Sequence, residues 1–200
     1  MALYRIKNTG RALVRPLVKP LLGVHPDAVT WASLPFAAVA GLCLYRADLG
    51  WTLLLTPVFV ALRSVCNLLD GMIAIERTMT SPRGEALQDM VDRLSDSCTV
   101  LGAAFSPAGD LHLGIVAVTL MLISSYTGIL KKATGGSREY GGILGKVDRF
   151  FLVGAASLLR YFWRGDLAGM NAFDLMFAVM IMGGGVTIIQ RYSSIGKMRP

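Results

Sequence analysis

Asn67, Asp70, Gln88, Asp92 and Asp96 are the residues of this chain best suited to chemistry, because each sets an oxygen donor within or beside an apolar run. If both runs are helical, Asn67 and Asp70 stand three apart and share a face, while Gln88, Asp92 and Asp96 recur every four residues and form one row. Antiparallel neighbours joined by a short segment bring the two rows together. Carboxylates that converge repel one another unless some are protonated or a divalent cation lies between them. An all-oxygen set suits Mg²⁺, Mn²⁺ or Ca²⁺. The competing reading pairs these acids with Arg63 and Arg93 as helix glue, since buried ions tend to pair.

The surroundings raise the stakes. Of 200 residues, 54% are hydrophobic and only 16% charged, where soluble domains carry roughly 25% charged residues. Six apolar stretches follow one another at 29–45, 51–75, 86–105, 111–130, 143–163 and 172–189, each near the ~20 residues a spanning helix needs. Breakers such as Gly50, Pro82, Gly109, Gly135 and Gly165 separate them. The pattern predicts an all-α integral membrane protein with six transmembrane helices. Ionisable groups at membrane depth are expensive and mark function by default.

Ahead of the first span, residues 3–22 alternate Arg5, Lys7, Arg11, Arg15 and Lys19 with apolar residues, which predicts an interfacial amphipathic helix broken by Pro16 and Pro20. The domain plan is thus a juxtamembrane segment over 1–24 and a membrane domain over 25–195. No apolar core for a cleavable signal peptide is present in this stretch. The net charge of +7 argues for the lipid bilayer rather than nucleic acid as partner, because the cations fall between apolar runs. Fifteen cations sort to one side, and Arg46, Arg160 and Arg164 to the other. The majority side is cytoplasmic, so both termini are expected inside an inner membrane. Cys43, Cys66 and Cys98 have no metal-ligand spacing and read as small hydrophobes; His25 and His112 fall on opposite sides. Gly183, Gly184 and Gly185 lie mid-helix and suggest a close helix contact, with a homodimer seam as one use.

Residues 67–92 resemble the signature of the CDP-alcohol phosphotransferases, D-x2-D-G-x2-A-R-x8-G-x3-D-x3-D. Asp70, Gly71, Ala74, Gly84 and Asp92 match by identity, whereas Asn67, Ile75 and Gln88 replace Asp, Arg and Asp. His25-Pro26-Asp27-Ala-Val-Thr30 is similar to the family's Pro-Asn-x-x-Thr, and Gly145-Lys146 to its Gly-Lys.

The resemblance implies metal-dependent transfer of a phosphatidyl or phospho-alcohol group from CDP-diacylglycerol or another CDP-alcohol to an acceptor alcohol, with release of CMP. It implies Mg²⁺ or Mn²⁺ held by Asn67, Asp70, Gln88, Asp92 and Asp96, with Asp92 as general base. Thr30, Gly71, Ala74 and Gly84 would face the nucleotide, and Lys146 a phosphate of the acceptor. Two carboxylates are missing from the pattern. Glu76, Asp89 and Asp96 are the acids near enough to supply the charge, Asp96 first because it lies one turn beyond Asp92 on the same face. Two other readings compete: a silent relative serving as a membrane scaffold, and a transporter, although its acids would then be expected in both halves.

Overall fold

The structure, a computed structural model, describes residues 10–167 and 169–196. Six long helices dominate: α1 (Pro26–Tyr45), α2 (Thr52–Glu76), α3 (Pro82–Ala104), α4 (Leu111–Ala133), α5 (Lys146–Phe162) and α6 (Ala172–Ile195). Among the described residues there is no strand beyond an isolated bridge between Leu167 and Met170. Local chemistry fixes the starts. Pro26 and Pro82 sit in first turns, where a missing N–H costs nothing. Ser81, Asp110 and Asn171 turn a side-chain oxygen onto the exposed N–H groups of α3, α4 and α6.

By length and composition, α1, α2, α4 and α6 are apolar enough to cross a membrane. The other two expected spans do not meet that measure, for opposite reasons. Helix α3 carries Glu85, Asp89, Asp92, Arg93 and Asp96, and α5 is only 17 residues long. Large apolar side chains point outward from the bundle, among them Leu42, Val58, Ile123 and Met182. That inversion of the soluble pattern is what a multi-pass membrane protein requires.

Helix α1 packs along both α2 and α3, α4 along α6, and α5 against α2 and α6. The α1–α3 crossing is set by two glycines: a Cβ on Gly41 would strike the Cys98 carbonyl, and one on Gly102 would strike Gly41 itself. Such backbone approach drives helix association where lipid removes the hydrophobic incentive. Gly183 and Gly184 likewise face Leu144 and Leu120, while Gly185 meets nothing. The interior is split into two apolar clusters. One runs from Leu44 and Leu53 to Phe173 and Met180; the other joins Val14 and Val18 to Val29, Leu69 and Ile73. Along α2, Arg63, Ser64 and Asn67 follow Val60 of the first cluster and precede Leu69 of the second.

The expected amphipathic segment lies partly outside the described residues. Within them, residues 10–14 are helical, Arg15–Leu17 form a 3₁₀ turn at Pro16, and Val18–Leu21 add one further turn. Val14 and Val18 are the buried contacts, whereas Leu13 and Leu17 point outward.

Candidate active site

Asp70 of α2 is buried, and its carboxylate accepts from the Thr30 hydroxyl of α1 at 2.8 Å and the Gln88 amide of α3 at 3.0 Å. The backbone N–H of Gly71 adds a third donor at 2.6 Å. Asp92 of α3, also buried, accepts from the Asn67 amide of α2 at 2.7 Å. Each amide therefore reaches across to the other helix's carboxylate. The crossing follows from the two sequence rows: spacings of three and four aim all four side chains into one α2–α3 interface. Hydrogen bonds to a buried charge contribute about 1.5–3 kcal/mol each, so both carboxylates are held in fixed orientation.

Lys146, the first residue of α5, places its ammonium on Asp92 Oδ2 and lies 5.8 Å over the Phe150 ring. One turn along both helices is a second rung: Arg149 Nη2 donates to Asp96 Oδ2 at 3.0 Å. The other Asp96 oxygen accepts from Arg63 Nη2 at 2.6 Å. Arg63 is 1% exposed, donates also to the Asp92 backbone carbonyl at 3.2 Å and stacks 4.4 Å from the Phe150 centroid. Arg93 leans toward Asp92 Oδ2 at 3.8 Å and donates to the Ser125 hydroxyl of α4. Helices α3 and α5 have little backbone contact. Long cationic side chains span the gap between them.

These contacts sort the expected residues. Asn67, Asp70, Gln88 and Asp92 converge, with Thr30 and Lys146 beside them. Asp96 points the same way, yet both its oxygens are committed to guanidinium groups, the arrangement of helix glue rather than of a spare ligand. Asp89 is ion-paired with Arg138, and Glu76 is exposed at the end of α2. Thr30, expected at the nucleotide, donates its hydroxyl to Asp70. Gly71 adjoins open space, since a Cβ there would meet nothing within 4 Å. Ala74 lies one turn further along α2, and Gly84 sits in the first turn of α3 near Asp27. Arg149 is the residue that sequence reasoning missed. Its signal was the three-residue spacing from Lys146, which puts both cations on one face of α5.

A cavity of about 450 Å³ opens elsewhere, where Gly141, Gly142 and Ile143 meet Gln190 and Arg191 of α6. Arg191 shapes it by donating to the carbonyls of Ser124 at 2.5 Å and Gly141 at 2.8 Å, which ties the α4–α5 connection down.

Among the described residues, no three His, Cys, Asp or Glu side chains gather as metal ligands. A hard cation fits only if the amides take part. Asn67 and Gln88 each carry a carbonyl oxygen opposite the NH₂ now facing a carboxylate, and a half-turn of the amide exchanges them. Two carboxylates and two carbonyls then form an oxygen set that a hard divalent ion accepts.

No protein-family profile matches the chain. It is 32% identical over 156 residues to the inner membrane protein YnbA of Escherichia coli, covering 77% of this chain and 78% of that one. It is 28% identical over 211 residues to the phosphatidylinositol phosphate synthase of Mycolicibacterium smegmatis, covering 94% and 87%. Among solved structures, the phosphatidylinositol phosphate synthase of Mycobacterium tuberculosis with CDP-DAG bound superposes with a TM-score of 0.76 at 21% identity, over 93% of this chain and 94% of that one. The same enzyme with manganese and citrate gives 0.76 over 92% and 89%. At that identity the structural likeness establishes the fold.

Proposed function

Because this chain belongs to the CDP-alcohol phosphotransferase family, we propose that it transfers a phosphatidyl or phospho-alcohol group from a CDP-linked substrate to an acceptor alcohol, releasing CMP, as a step of phospholipid synthesis. The observation that carries this reading is the crossed pairing of Asp70 and Asp92 with Gln88 and Asn67, beside open backbone at Gly71. A relative solved once with CDP-DAG and once with manganese and citrate supports the substrate class and a divalent metal.

Asn67, Asp70, Gln88 and Asp92 hold the metal in this proposal, either Mg²⁺ or Mn²⁺, and Asp96 is reassigned to positioning. When bound, the ion neutralises charge on the pyrophosphate as the bond to CMP breaks. Asp70 is aimed by Thr30 and the Gly71 N–H. The missing Cβ at Gly71 lets the CDP moiety approach the backbone. Asp92 accepts the proton that the acceptor hydroxyl loses on attacking the β-phosphate. Lys146, a flexible cation at the helix start, binds phosphate oxygens. All six helices span the membrane in this reading, α3 and α5 turning their charged faces inward, and both termini are cytoplasmic. The N-terminal segment lies at the membrane surface. The assembly is a homodimer, with Gly185 on an unfilled face of α6.

The test is CMP release by purified protein from CDP-diacylglycerol, with Mg²⁺ or Mn²⁺, across a panel of acceptors including glycerol phosphate, inositol phosphate and serine. The site's cation-rich composition also favours a second reading, the silent scaffold, which predicts no CMP release with any acceptor.

A further inference from the structure

We propose that Lys146 is a latch on Asp92: its ammonium competes with the divalent ion, and the phosphates of the CDP-linked substrate draw it away, so metal and nucleotide bind cooperatively. This rests on the functional reading above and deepens it.

Both oxygens of Asp92 already have hydrogen-bond partners, the Asn67 amide on Oδ1 and the Lys146 ammonium on Oδ2, while Arg63 and Arg93 stand off at 3.8 Å from Oδ1 and Oδ2, beyond hydrogen-bond reach. For Asp92 to ligate a cation, one must leave. Asn67 need not, because turning its amide exchanges a donor for an oxygen that also ligates. Arg63 cannot leave readily: it is 1% exposed, clamped to Asp96 and stacked on Phe150. Lys146 shares the Phe150 ring, at the longer distance of 5.8 Å, but differs in exposure and in its ion pairing. Its side chain is 24% exposed, it makes one ion pair, and its four-carbon stem pivots from the first residue of α5. A Lys ammonium is a mobile point charge, whereas an Arg fork is fixed by geometry. The second rung, Arg149 on Asp96, keeps α3 and α5 in register while the first opens. An anion of two phosphates beside Asp92 offers Lys146 a replacement partner, and the released carboxylate oxygen faces the ion. Linkage then requires that nucleotide tighten metal binding and that metal tighten nucleotide binding by the same factor.

The experiment titrates Mn²⁺ by electron paramagnetic resonance into the full-length protein in nanodiscs, with and without CDP, free Mn²⁺ being referenced to CDP-only solutions. In the wild type CDP should tighten Mn²⁺ binding about tenfold, as expected for exchange of one charge-assisted contact. Lys146→Met should bind Mn²⁺ about tenfold more tightly than wild type without CDP, and the further gain from CDP should fall below about twofold. Lys131→Met, which removes a cation paired with Glu139 at 2.8 Å, controls for charge loss alone and should change little. Thermal unfolding monitors the fold, and Lys146→Gln is measured the same way if Lys146→Met is unstable. Unchanged Mn²⁺ affinity in both Lys146 variants, with binding still lost in Asp70→Asn, overturns the latch and leaves the metal site standing. Absence of Mn²⁺ binding in the wild type, with and without CDP, overturns the functional reading itself.

Discussion

Replacing Asp96 by Ala separates its two candidate roles by measurement. The substitution removes the one carboxylate shared by Arg63, 1% exposed, and Arg149, 4% exposed, and leaves two buried guanidinium groups facing each other. Breaking a buried ion pair from one side costs about 3–5 kcal/mol, because the stranded charge keeps its desolvation penalty. Against a total stability of about 5–15 kcal/mol, that is roughly a fifth or more of what holds the chain folded. For chains of this length each kcal/mol moves the midpoint by about 2–4 °C, so the loss is roughly 6–20 °C. The assay is thermal unfolding in detergent, read beside extracted yield. Gln88→Asp should not rescue it, since Gln88 lies two turns away and faces Asp70 at 3.0 Å. Removing the cations as well, in Asp96→Leu with Arg63→Met and Arg149→Met, should recover most of the lost stability, as apolar replacements of buried ion clusters do. An Asp96→Ala protein with an unchanged midpoint but no Mn²⁺ binding would falsify this account and restore Asp96 as a ligand.

Asp70→Asn and Asp92→Asn should each abolish Mn²⁺ binding and CMP release while moving the midpoint far less than Asp96→Ala, which calorimetry and resonance titration read on the same samples. Gly102→Val should cost about 1–3 kcal/mol or more by overpacking the α1–α3 crossing, whereas Gly71→Ala, with nothing within 4 Å of its Cβ, should keep full stability and lose activity. In a cysteine-free background, Asp48→Cys and Asp110→Cys should label from outside the cell, with Asn8→Cys and Lys197→Cys protected; the reverse pattern would put the site on the wrong side of the membrane.

The helices were legible because apolar runs and breakers are local signals. The stretch 172–189 underestimates Ala172–Ile195 because the last turns of α6 are polar outside and hold Arg191 inside. The stretch 143–163 begins too early. Gly142 adopts φ 127°, and the Leu144 N–H is taken by Thr187 of α6 at 3.0 Å, so α5 starts only at Lys146. Within the site, helical period alone placed Asn67, Asp70, Gln88 and Asp92 on facing rows. It could not say which oxygen meets which partner. Asp96 shows the limit: its register promised a ligand, but α5 delivers Arg149 to it, and no pattern within α3 encodes what α5 carries. Arg149 itself reads as a topology charge until its three-residue spacing from Lys146 is set against the four-residue spacing of Asp92 and Asp96.

The departures from the family pattern make sense together rather than singly. Around the site stand four cations, Arg63, Arg93, Lys146 and Arg149, against three carboxylates, Asp70, Asp92 and Asp96. The buried Nε atoms of Arg63, Arg93 and Arg149 lack protein partners, so the cluster has donors to spare. Asp at positions 67 and 88 would tip this balance from one surplus positive charge to one surplus negative, and a divalent ion would then be welcome by itself. With Asn67 and Gln88 the same ion enters a region already positive, where low dielectric magnifies the repulsion. An anion that arrives with it offsets that repulsion. Neutral amides at 67 and 88 therefore need not mean a dead site; under the proposed function they transfer part of the metal's stabilisation from the protein's carboxylates to the substrate's phosphates.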